Sequence, residues 1–383
     1  MFAFFKRFDL AIINRSFWPE NQIKGEAYLQ LGERASLKAN VVIITQSKNN
    51  LRKIVNNFQR GKKLTFYFCK VRSVSSSKLS FRLVDTVIFT IWVLFSLLIT
   101  RPKKIYVSTN PPLAVPFVVF LYSKIFRSPY VYSVQDIHPE ITNVVVKFNP
   151  LIFSLLKKAD SLVMRHASSI ITITQTMKNE IISRSNTKSQ IYLIDNPTVS
   201  INNSEYLKIK GFVFSGNLGR VQQIPLLLES IDKYKAKGGK LPFLFIGEGI
   251  YSNKVNILAN KYDDVSYIGF TETKKANELT SRYEWALLPI DDEVTKYAFP
   301  SKTSTYLSCG LKILSICSNQ TSVAKWVLNN NYGINSLTDV DKLVDVFFQI
   351  ENGVIVNNPV VNKNYFTINN YAENIYNVLF KRV

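Results

Sequence analysis

Short apolar segments alternate with helix-like segments along the chain, and this alternation constrains the fold of its 383 residues more than any other feature. In the first half, six segments have the composition of strands: 9–14, 40–46, 103–109, 129–136, 168–175 and 190–197. Helix-like or continuously apolar segments separate them at 25–39, 113–126 and 151–167. Short apolar strands separated by helices are typical of a parallel, doubly wound sheet.

The same alternation begins again in the second half. Strands are predicted at 210–217, 241–249, 265–270, 283–290 and 311–317, and helices at 222–237, 301–310 and 322–333. A polar, weakly patterned segment follows Pro197, and the chain is too long for one ordinary core. We therefore predict two α/β domains that face a cleft, at 1–200 and 201–365, followed by a terminal helix at 366–383.

Charge is distributed unevenly between the halves. The net charge is +21, with +18 in residues 1–200 and +3 in residues 201–383. A field of this sign attracts phospholipid or nucleic acid, although a merely solubilising surface would look the same. The basic residues do not cluster with aromatic residues as in known nucleic-acid modules, so we expect no nucleic-acid partner. Three widely spaced cysteines favour a reducing cytoplasm over a disulfide framework or a metal site.

An apolar segment at 86–99, TVIFTIWVLFSLLI, is followed directly by Arg101, Lys103 and Lys104. Its 14 residues are short of the ~20 that span a bilayer. We expect an interfacial helix at the membrane surface, with a buried core helix as the first alternative and a true membrane span as the second. The first 14 residues lack a small-residue cleavage site, so we do not expect a signal peptide.

Ligands of open α/β sheets bind beyond the carboxyl ends of the strands. In the second half, three turns follow predicted strands: SGNLGR (215–220), GEG (247–249) and PSK (300–302). Glycines let backbone N–H groups approach a phosphate, and Arg220 adds a bidentate cation. Lys302 lies in a first helical turn, where the helix itself prefers acids. Together the turns predict a nucleotide-diphosphate site, although each alone is compatible with a tight turn and a solvated cation.

In the first half, the segment DIHPE (136–140) ends a strand and places Asp136, His138 and Glu140 in one loop. Too few ligands are present for a metal site. His138 is either a structural histidine or part of a pair with Asp136 that orients an acceptor or handles its proton. Loops at 15–20 and 110–112, and Gly25, are expected to face the same cleft.

Taken together, the chain resembles GT-B glycosyltransferases of glycosyltransferase family 4 almost from end to end. The segments that carry the resemblance are NRSFWPE…G (14–25), STNPPLAVPF (108–117), VQDIHPE (134–140), DNP (195–197), FSGNLGR (214–220), FIGEG (245–249), YIGF (267–270), LLPI (287–290) and FPSKTSTYLSCG (299–310). Within the family it is most similar to WbuB-type N-acetyl-L-fucosaminyltransferases of O-antigen and capsule synthesis.

The resemblance implies two Rossmann-like domains, with the nucleotide sugar held mainly by the C-terminal one and a nominally retaining transfer that needs no metal or other cofactor. It implies that Lys302 and Arg220 neutralise the diphosphate, and that Asp136 and His138 face the acceptor and the sugar. The remaining donor-binding positions that it implies are Gly25, Gly216, Asn217, Gly247, Gly249, Gly269, Pro300, Ser301 and Thr305.

Four positions depart from the family pattern. Thr305 stands where a glutamate would grip the ribose, and Tyr297 stands where the family has a second glutamate. A threonine makes only a weaker, neutral hydrogen bond. Gln222 and Gln223 stand where a lysine often follows Arg220. We expect that this protein holds the ribose in a different way.

The predicted function is transfer of a sugar, N-acetyl-L-fucosamine or a related deoxy-amino sugar, from a UDP-sugar to a polyprenyl-diphosphate-linked acceptor. The basic first half would dock on the anionic inner face of the cytoplasmic membrane. Alternatives are a GT-B nucleotide-sugar epimerase and a non-catalytic protein that binds nucleic acid or sugar.

Overall fold

The computed structural model describes residues 7–70, 79–199, 207–355 and 363–381. The chain divides into two compact units, residues 1–197 with 367–383 (unit 1) and residues 198–366 (unit 2). Part of the segment that we predicted as the linker, and the first six residues of the N-terminus, lie outside the described residues.

All strand pairs within both sheets are parallel. The sheet of unit 1 has the order β3-β2-β1-β4-β5-β6-β7, and that of unit 2 the order β10-β9-β8-β11-β12-β13. The strands are β1 (Leu10–Ile13), β2 (Val41–Ser47), β3 (Thr65–Lys70), β4 (Lys104–Ser108), β5 (Tyr130–Ser133), β6 (Ser169–Thr172), β7 (Gln190–Leu193), β8 (Ile209–Ser215), β9 (Phe243–Ile246), β10 (Val265–Ile268), β11 (Tyr283–Pro289), β12 (Lys312–Ile316) and β13 (Gly333–Ser336).

Helices connect these strands. In unit 1 they are α1 (Lys24–Ala35), α2 (Leu51–Asn57), α3 (Leu79–Thr100), α4 (Ala114–Phe126), α5 (Glu140–Val145), α6 (Pro150–His166) and α7 (Gln175–Ser185). In unit 2 they are α8 (Ile224–Ala236), α9 (Ser252–Lys261), α10 (Thr273–Ser281), α11 (Val294–Tyr297), α12 (Lys302–Ser308), α13 (Ser322–Asn329) and α14 (Val340–Glu351). The last helix, α15 (Ile368–Phe380), belongs to unit 1 and packs against α1.

Both cores follow from the apolar strands that the sequence predicts. All four residues of β1 are buried, and all seven of β2 are buried as well. In unit 2, rings of Phe212, Phe243 and Phe347 pack between the sheet and α14, with centroids 4.9–5.3 Å apart. Strands buried on both faces require helices on both sides, as in doubly wound folds. The predicted α/β, doubly wound class is confirmed.

The length of α3 corrects our prediction for the apolar segment at 86–99. The helix has 22 residues, and its part from Phe81 to Thr100 is long and apolar enough to cross a membrane by length and composition. The sequence analysis missed the beginning of α3 because Arg82 and Asp85 interrupt the apolar pattern. Asp85 is buried and forms an ion pair with Arg15, so the helix continues through it. One face of α3 packs on the unit 1 sheet and on α4.

Candidate functional site

The strand order of unit 2 reverses between β8 and β11. The chain runs from β8 outward through β9 to β10, and β11 returns to the other side of β8. The loop after β8 contains Gly216, and the segment between β11 and β12 contains α12 with Lys302 at its first position. Ligands of doubly wound sheets bind at such a reversal, so this is the candidate binding site of unit 2.

Two glycines form the floor of this site. Gly216 and Gly247 have φ angles of +139° and +122°, which L side chains rarely adopt. A β-carbon on Gly247 would lie 2.2 Å from the carbonyl oxygen of Gly216. A β-carbon on Gly216 would lie 3.0 Å from Nζ of Lys302. Both glycines are therefore required for the loops after β8 and β9 to meet beneath the lysine.

The ammonium group of Lys302 is enclosed and has no hydrogen-bond partner among the described residues. It lies 3.9 Å from the centroid of the Phe214 ring, within the range of a cation–π contact. Burial lowers the pKa of Lys302 from 10.5 to about 7. Because an unpaired buried charge is costly, a group in this condition is a candidate for binding an external anion.

Lys235 shows how this chain treats a buried lysine whose role is structural. Its ammonium donates to the carbonyl oxygens of Gly239 and Leu241 and pairs with Asp264. Both lysines are enclosed within unit 2, yet one is fully satisfied by the protein and the other is not. This difference makes Lys302 the candidate ligand-binding lysine of unit 2.

Three hydroxyl groups of α12 have hydrogen-bond partners within unit 2. Thr303 Oγ1 donates to the carbonyl oxygen of Pro300 at 2.8 Å. The hydroxyls of Thr305 and Thr198 lie 3.0 Å apart. The phenol of Tyr306 bridges both backbone groups of Ser215 at the end of β8. These bonds hold α12 against the sheet and so fix the position of Lys302.

The other predicted donor-binding residues of unit 2 lie on segments that follow strands β8 to β11. Gly249 adjoins the backbone of Leu218 so closely that a β-carbon there would lie 2.4 Å from its carbonyl oxygen. Arg220 is exposed at the start of a 3-10 turn, Arg220–Gln222. The rest lie on the loops after β8 and β10 and before α12, namely Asn217, Gly269, Pro300 and Ser301.

In unit 1 the strand order reverses between β1 and β4. The loops that follow these two strands are joined by a hydrogen bond from Ser108 Oγ to the Asn14 side chain, and by one from the Arg15 N–H to the carbonyl oxygen of Asn110 at 2.8 Å. The predicted loops 15–20 and 110–112 therefore lie together at the switch point of this sheet.

Lys24 is a residue of this region that the sequence analysis did not single out. It begins α1, and its ammonium donates to the side chain of Gln135. Burial lowers the pKa of Lys24 to about 8, and the nearby Asp136 carboxylate opposes that shift. Burial also raises the pKa of Asp136, with Lys24 acting in the opposite direction. The charges of the partly buried Lys24 and Asp136 thus influence each other beside α1. The sequence around Lys24 does not single it out, because the residues that interact with it, Gln135 and Asp136, follow β5 more than 100 residues later.

His138 and Glu140 have different surroundings from Asp136. Two effects lower the pKa of His138 to about 4: mainly its removal from solvent, and to a smaller extent the positive charge of Arg184. The imidazole is therefore neutral at physiological pH. Its Nδ1 lies 2.9 Å from Thr142 Oγ1. Glu140 pairs with Arg184 at 2.5 Å. The loop therefore contains a neutral histidine and one carboxylate committed to an ion pair.

Gly25 has a packing requirement of its own. A β-carbon there would lie 2.6 Å from backbone atoms of both Phe17 and Trp18. Close approach of the 15–20 loop to α1 therefore accounts for this glycine without a ligand. In the part of the chain that the structure describes, no group of three or more His, Cys, Asp or Glu residues is placed to hold a metal ion.

No protein-family model matches the chain. Over 264 residues it is 24% identical to a protein named "Probable glycosyltransferase WbjE" from Pseudomonas aeruginosa. The match covers 63% of this chain and 65% of the relative, so the chain spans just under two thirds of that protein's length.

Solved structures are similar over nearly the whole chain. HepE of Anabaena in complex with UDP superposes with a TM-score of 0.60 at 14% identity, covering 97% of this chain and 95% of HepE. The lipopolysaccharide outer core galactosyltransferase WaaB superposes with a TM-score of 0.62 at 14% identity, covering 98% of this chain and 100% of WaaB. UDP-GlcNAc 2-epimerase of Neisseria meningitidis, bound to UDP-GlcNAc, superposes with a TM-score of 0.58 at 11% identity, covering 98% of this chain and 100% of the epimerase. The chain thus has the fold of GT-B glycosyltransferases, as predicted, with two doubly wound parallel sheets.

Proposed function

We propose that the protein is a glycosyltransferase that takes its sugar from a UDP-sugar, with the diphosphate bound at Lys302. The observation that carries this proposal is the enclosed, unpartnered ammonium at the switch point of unit 2, above the contact between Gly216 and Gly247. UDP in HepE and UDP-GlcNAc in the epimerase support a UDP-sugar as the ligand.

Cleavage of a glycosyl–phosphate bond develops negative charge on the departing diphosphate. Fixed cations and backbone donors that face this charge stabilise the transition state more than the ground state. Lys302 would supply the cation from inside the protein, and the glycine turns would let backbone N–H groups approach the phosphates. Arg220, exposed four residues after Gly216, would add a second cation. Transfer with retention of anomeric configuration remains part of the proposal.

The proposed donor sugar is N-acetyl-L-fucosamine or a related deoxy-amino sugar, and the proposed acceptor is a polyprenyl-diphosphate-linked sugar of O-antigen, lipopolysaccharide or capsule synthesis. Support comes from the motifs that resemble this enzyme group and from the likeness to WbjE and WaaB. In unit 1, Asp136 would orient or deprotonate the acceptor hydroxyl, because burial raises the pKa of its carboxyl group. His138 would act as a neutral hydrogen-bonding partner.

Unit 1 would dock on the inner face of the cytoplasmic membrane. The outer face of α3 exposes a continuous series of large apolar side chains, including Val87, Ile91, Leu94, Phe95 and Leu98. Contiguous apolar surface of this kind marks an interaction site, and the net charge of +18 in residues 1–200 matches anionic lipid. The buried stripe of α3, with Phe89 and Val93, is committed to the core of unit 1. The helix would therefore lie on the membrane instead of crossing it.

The donor site is tested by measuring UDP release from UDP-GlcNAc, UDP-L-FucNAc and UDP-QuiNAc, with a synthetic polyprenyl-diphosphate sugar as the acceptor. We expect one donor to be turned over, and Lys302→Ala to lower its transfer rate by at least about 100-fold, as is typical for a lost transition-state donor. Lys325→Ala, an exposed lysine on α13, is the matched control and should transfer normally. Unchanged transfer by the Lys302 variant would remove its phosphate role.

Membrane docking is tested by flotation with vesicles that contain phosphatidylglycerol. Ile91→Glu on α3 should abolish flotation, whereas Ile257→Glu on α9 should not, although the two isoleucines are 63% and 61% exposed. If the wild-type protein stays in solution at low salt, or if both variants float equally, α3 is not the docking element.

The epimerase neighbour gives a second candidate activity. A 2-epimerase converts UDP-GlcNAc to its C2 epimer and keeps the nucleotide sugar intact, whereas a transferase releases UDP. Formation of the epimer without acceptor, followed by proton NMR, would favour the epimerase. Acceptor-dependent release of UDP would favour the transferase.

A further inference from the structure

An open cavity of about 450 Å³ lies on the surface of unit 1 between α6 and α7, in the size range of small-molecule sites. Hydroxyl and cationic side chains predominate in its wall, with a single apolar residue: Ser154, Lys157, Lys158, Ser161, Leu162, Arg165 and Arg184. We call it the α6 pocket. Each of the six positions from α6 lies three or four residues from another of the set, so they form one stripe along the helix.

The charge of the α6 pocket favours an anion. Four of its lining residues are cations, and the two carboxylates beside it, Glu140 and Asp160, both pair with Arg184. The Arg184 side chain is only 1% exposed, and its Nε has no hydrogen-bond partner among the described residues. Lys158 and Arg165 are exposed at the rim. Arg184 and Lys157 balance the charges of the two carboxylates. The positive charges of Lys158 and Arg165 are then left for a ligand.

An apolar stripe lies on α6 directly beside these cations. Leu151, Leu155 and Leu162 repeat at intervals of four and seven residues and are 76%, 67% and 37% exposed. The neighbouring helix α4 adds Leu121 and Ile125, which are also exposed. A free anion gains nothing from such neighbours, whereas an amphiphile with a charged head and a hydrocarbon chain satisfies both stripes.

The α6 pocket is also connected to the loop at 136–140. Arg184 donates to the carbonyl oxygen of His138 at 2.9 Å and to the Glu140 carboxylate at 2.5 Å. A charged group bound at Arg184 is therefore next to the loop that contains Asp136 and His138. That position distinguishes the pocket from a general lipid-contact surface elsewhere on unit 1.

We propose that the α6 pocket binds the diphosphate of the membrane-anchored polyprenyl acceptor, with the lipid chain lying along Leu151, Leu155 and Leu162. This inference rests on the proposed glycosyltransferase function and adds the site that holds the carrier. Lys158 and Arg165 contact the phosphates, with Lys157 beside them, and Ser154 supplies a hydroxyl donor, whereas the Ser161 hydroxyl donates to the carbonyl oxygen of Lys157. Arg184 closes the inner wall of the pocket.

The test is flotation with neutral phosphatidylcholine vesicles that contain a few mole per cent of polyprenyl diphosphate, compared with vesicles that contain the uncharged polyprenol. The variant is K157Q/K158Q/R165Q, and the matched control is K38Q/K48Q/K53Q, which removes three exposed lysines of the same unit. K157R/K158R/R165K retains the charges. Thermal unfolding and UDP binding are measured for each variant to separate loss of fold or of the donor site from loss of carrier binding.

We expect the wild type, the control and the charge-retaining variant to bind the diphosphate vesicles. The K157Q/K158Q/R165Q variant should bind at least about tenfold more weakly, since charge-assisted hydrogen bonds to phosphate are lost. Its UDP affinity should be unchanged, because α12 lies in the other unit.

Three results would overturn the proposal. Equal binding by the K157Q/K158Q/R165Q variant and the lysine control would show that general charge suffices. Equal binding to polyprenol vesicles would show that the diphosphate is not recognised. Inorganic pyrophosphate that binds as tightly as the lipid would show a site for free anions. Failure of Lys302→Ala to affect UDP binding would instead count against the donor site alone.

Discussion

Lys24 and Lys302 occupy equivalent places in the two units. Each is the first residue of a helix at the switch point of a parallel sheet, where the helix dipole disfavours a cation. Burial lowers the pKa of both, to about 8 for Lys24 and about 7 for Lys302. Their partners differ: the Lys24 ammonium donates to Gln135 and feels the charge of Asp136, whereas the Lys302 ammonium has no hydrogen-bond partner among the described residues. A lysine that the protein itself satisfies maintains a loop, and one that it leaves unsatisfied is available to a ligand.

The largest expected effect is on UDP affinity. Lys302→Met should weaken UDP binding about 100-fold, which corresponds to about 2.7 kcal/mol, because a buried charge-assisted contact to the diphosphate is lost. Lys24→Met should change it by less than about twofold, since its ammonium already has protein partners. Isothermal titration calorimetry at pH 7 measures both. Equal losses of UDP affinity in the two variants would show that Lys302 is not the specific diphosphate contact.

The second effect is on stability without ligand, and its sign should differ between the two lysines. Lys302→Met should stabilise the protein by about 1–3 kcal/mol, because it removes a buried ammonium group with no hydrogen-bond partner. Lys24→Met should destabilise the protein by a similar amount, since Gln135 loses a hydrogen-bond donor and Asp136 loses a nearby positive charge. Urea denaturation followed by fluorescence measures both changes.

Lys235→Met serves as the reference for a fully bonded buried lysine and should also destabilise. Destabilisation by Lys302→Met would show that Lys302 has a structural role like that of Lys235.

The third effect is on pH dependence. The folded-state pKa of Lys302, about 7, lies below its unfolded value of 10.5, so the unfolded chain binds more protons between these values. Through this group, stability therefore rises with pH from about 7 to 10.5. In the proposed site a bound diphosphate would restore the proton, so UDP affinity should fall by up to about tenfold per pH unit above pH 7.

Calorimetry at pH 8 in two buffers of different ionisation enthalpy should detect uptake of nearly one proton by the wild type and much less by Lys302→Met. Equal uptake in both proteins would assign the proton to another group.

The smallest expected effect concerns Thr305, one turn after Lys302. Its hydroxyl is already paired with that of Thr198. Thr305→Val and Thr198→Val should each lower stability by about 0.5–1.5 kcal/mol, the range for one lost hydrogen bond. Neither should change UDP affinity by more than about twofold. A selective loss of UDP affinity in Thr305→Val would instead show that Thr305 contacts the ribose.

Much of the fold could be predicted because its strands are short apolar segments between helices. Strands such as β1, β8 and β11 lie within a residue or two of their predicted limits. The strand β3, where Lys70 and partly exposed side chains weaken the apolar pattern, was not predicted. The beginning of α3 was also missed, because Asp85 is compatible with a buried helix only through its pairing with Arg15.

The sequence by itself determined the parallel α/β class, the glycine turns and the place of Lys302 at a helix start, because these depend on local pattern and backbone conformation. Tertiary structure alone decided which lysine is left without a partner. Lys24 meets Gln135 across 111 residues, and Thr305 meets Thr198 across 107. The α6 pocket likewise depends on Arg184 of α7 reaching Glu140 and Asp160. Such pairings arise only when the folded chain excludes water and brings distant side chains within hydrogen-bonding distance.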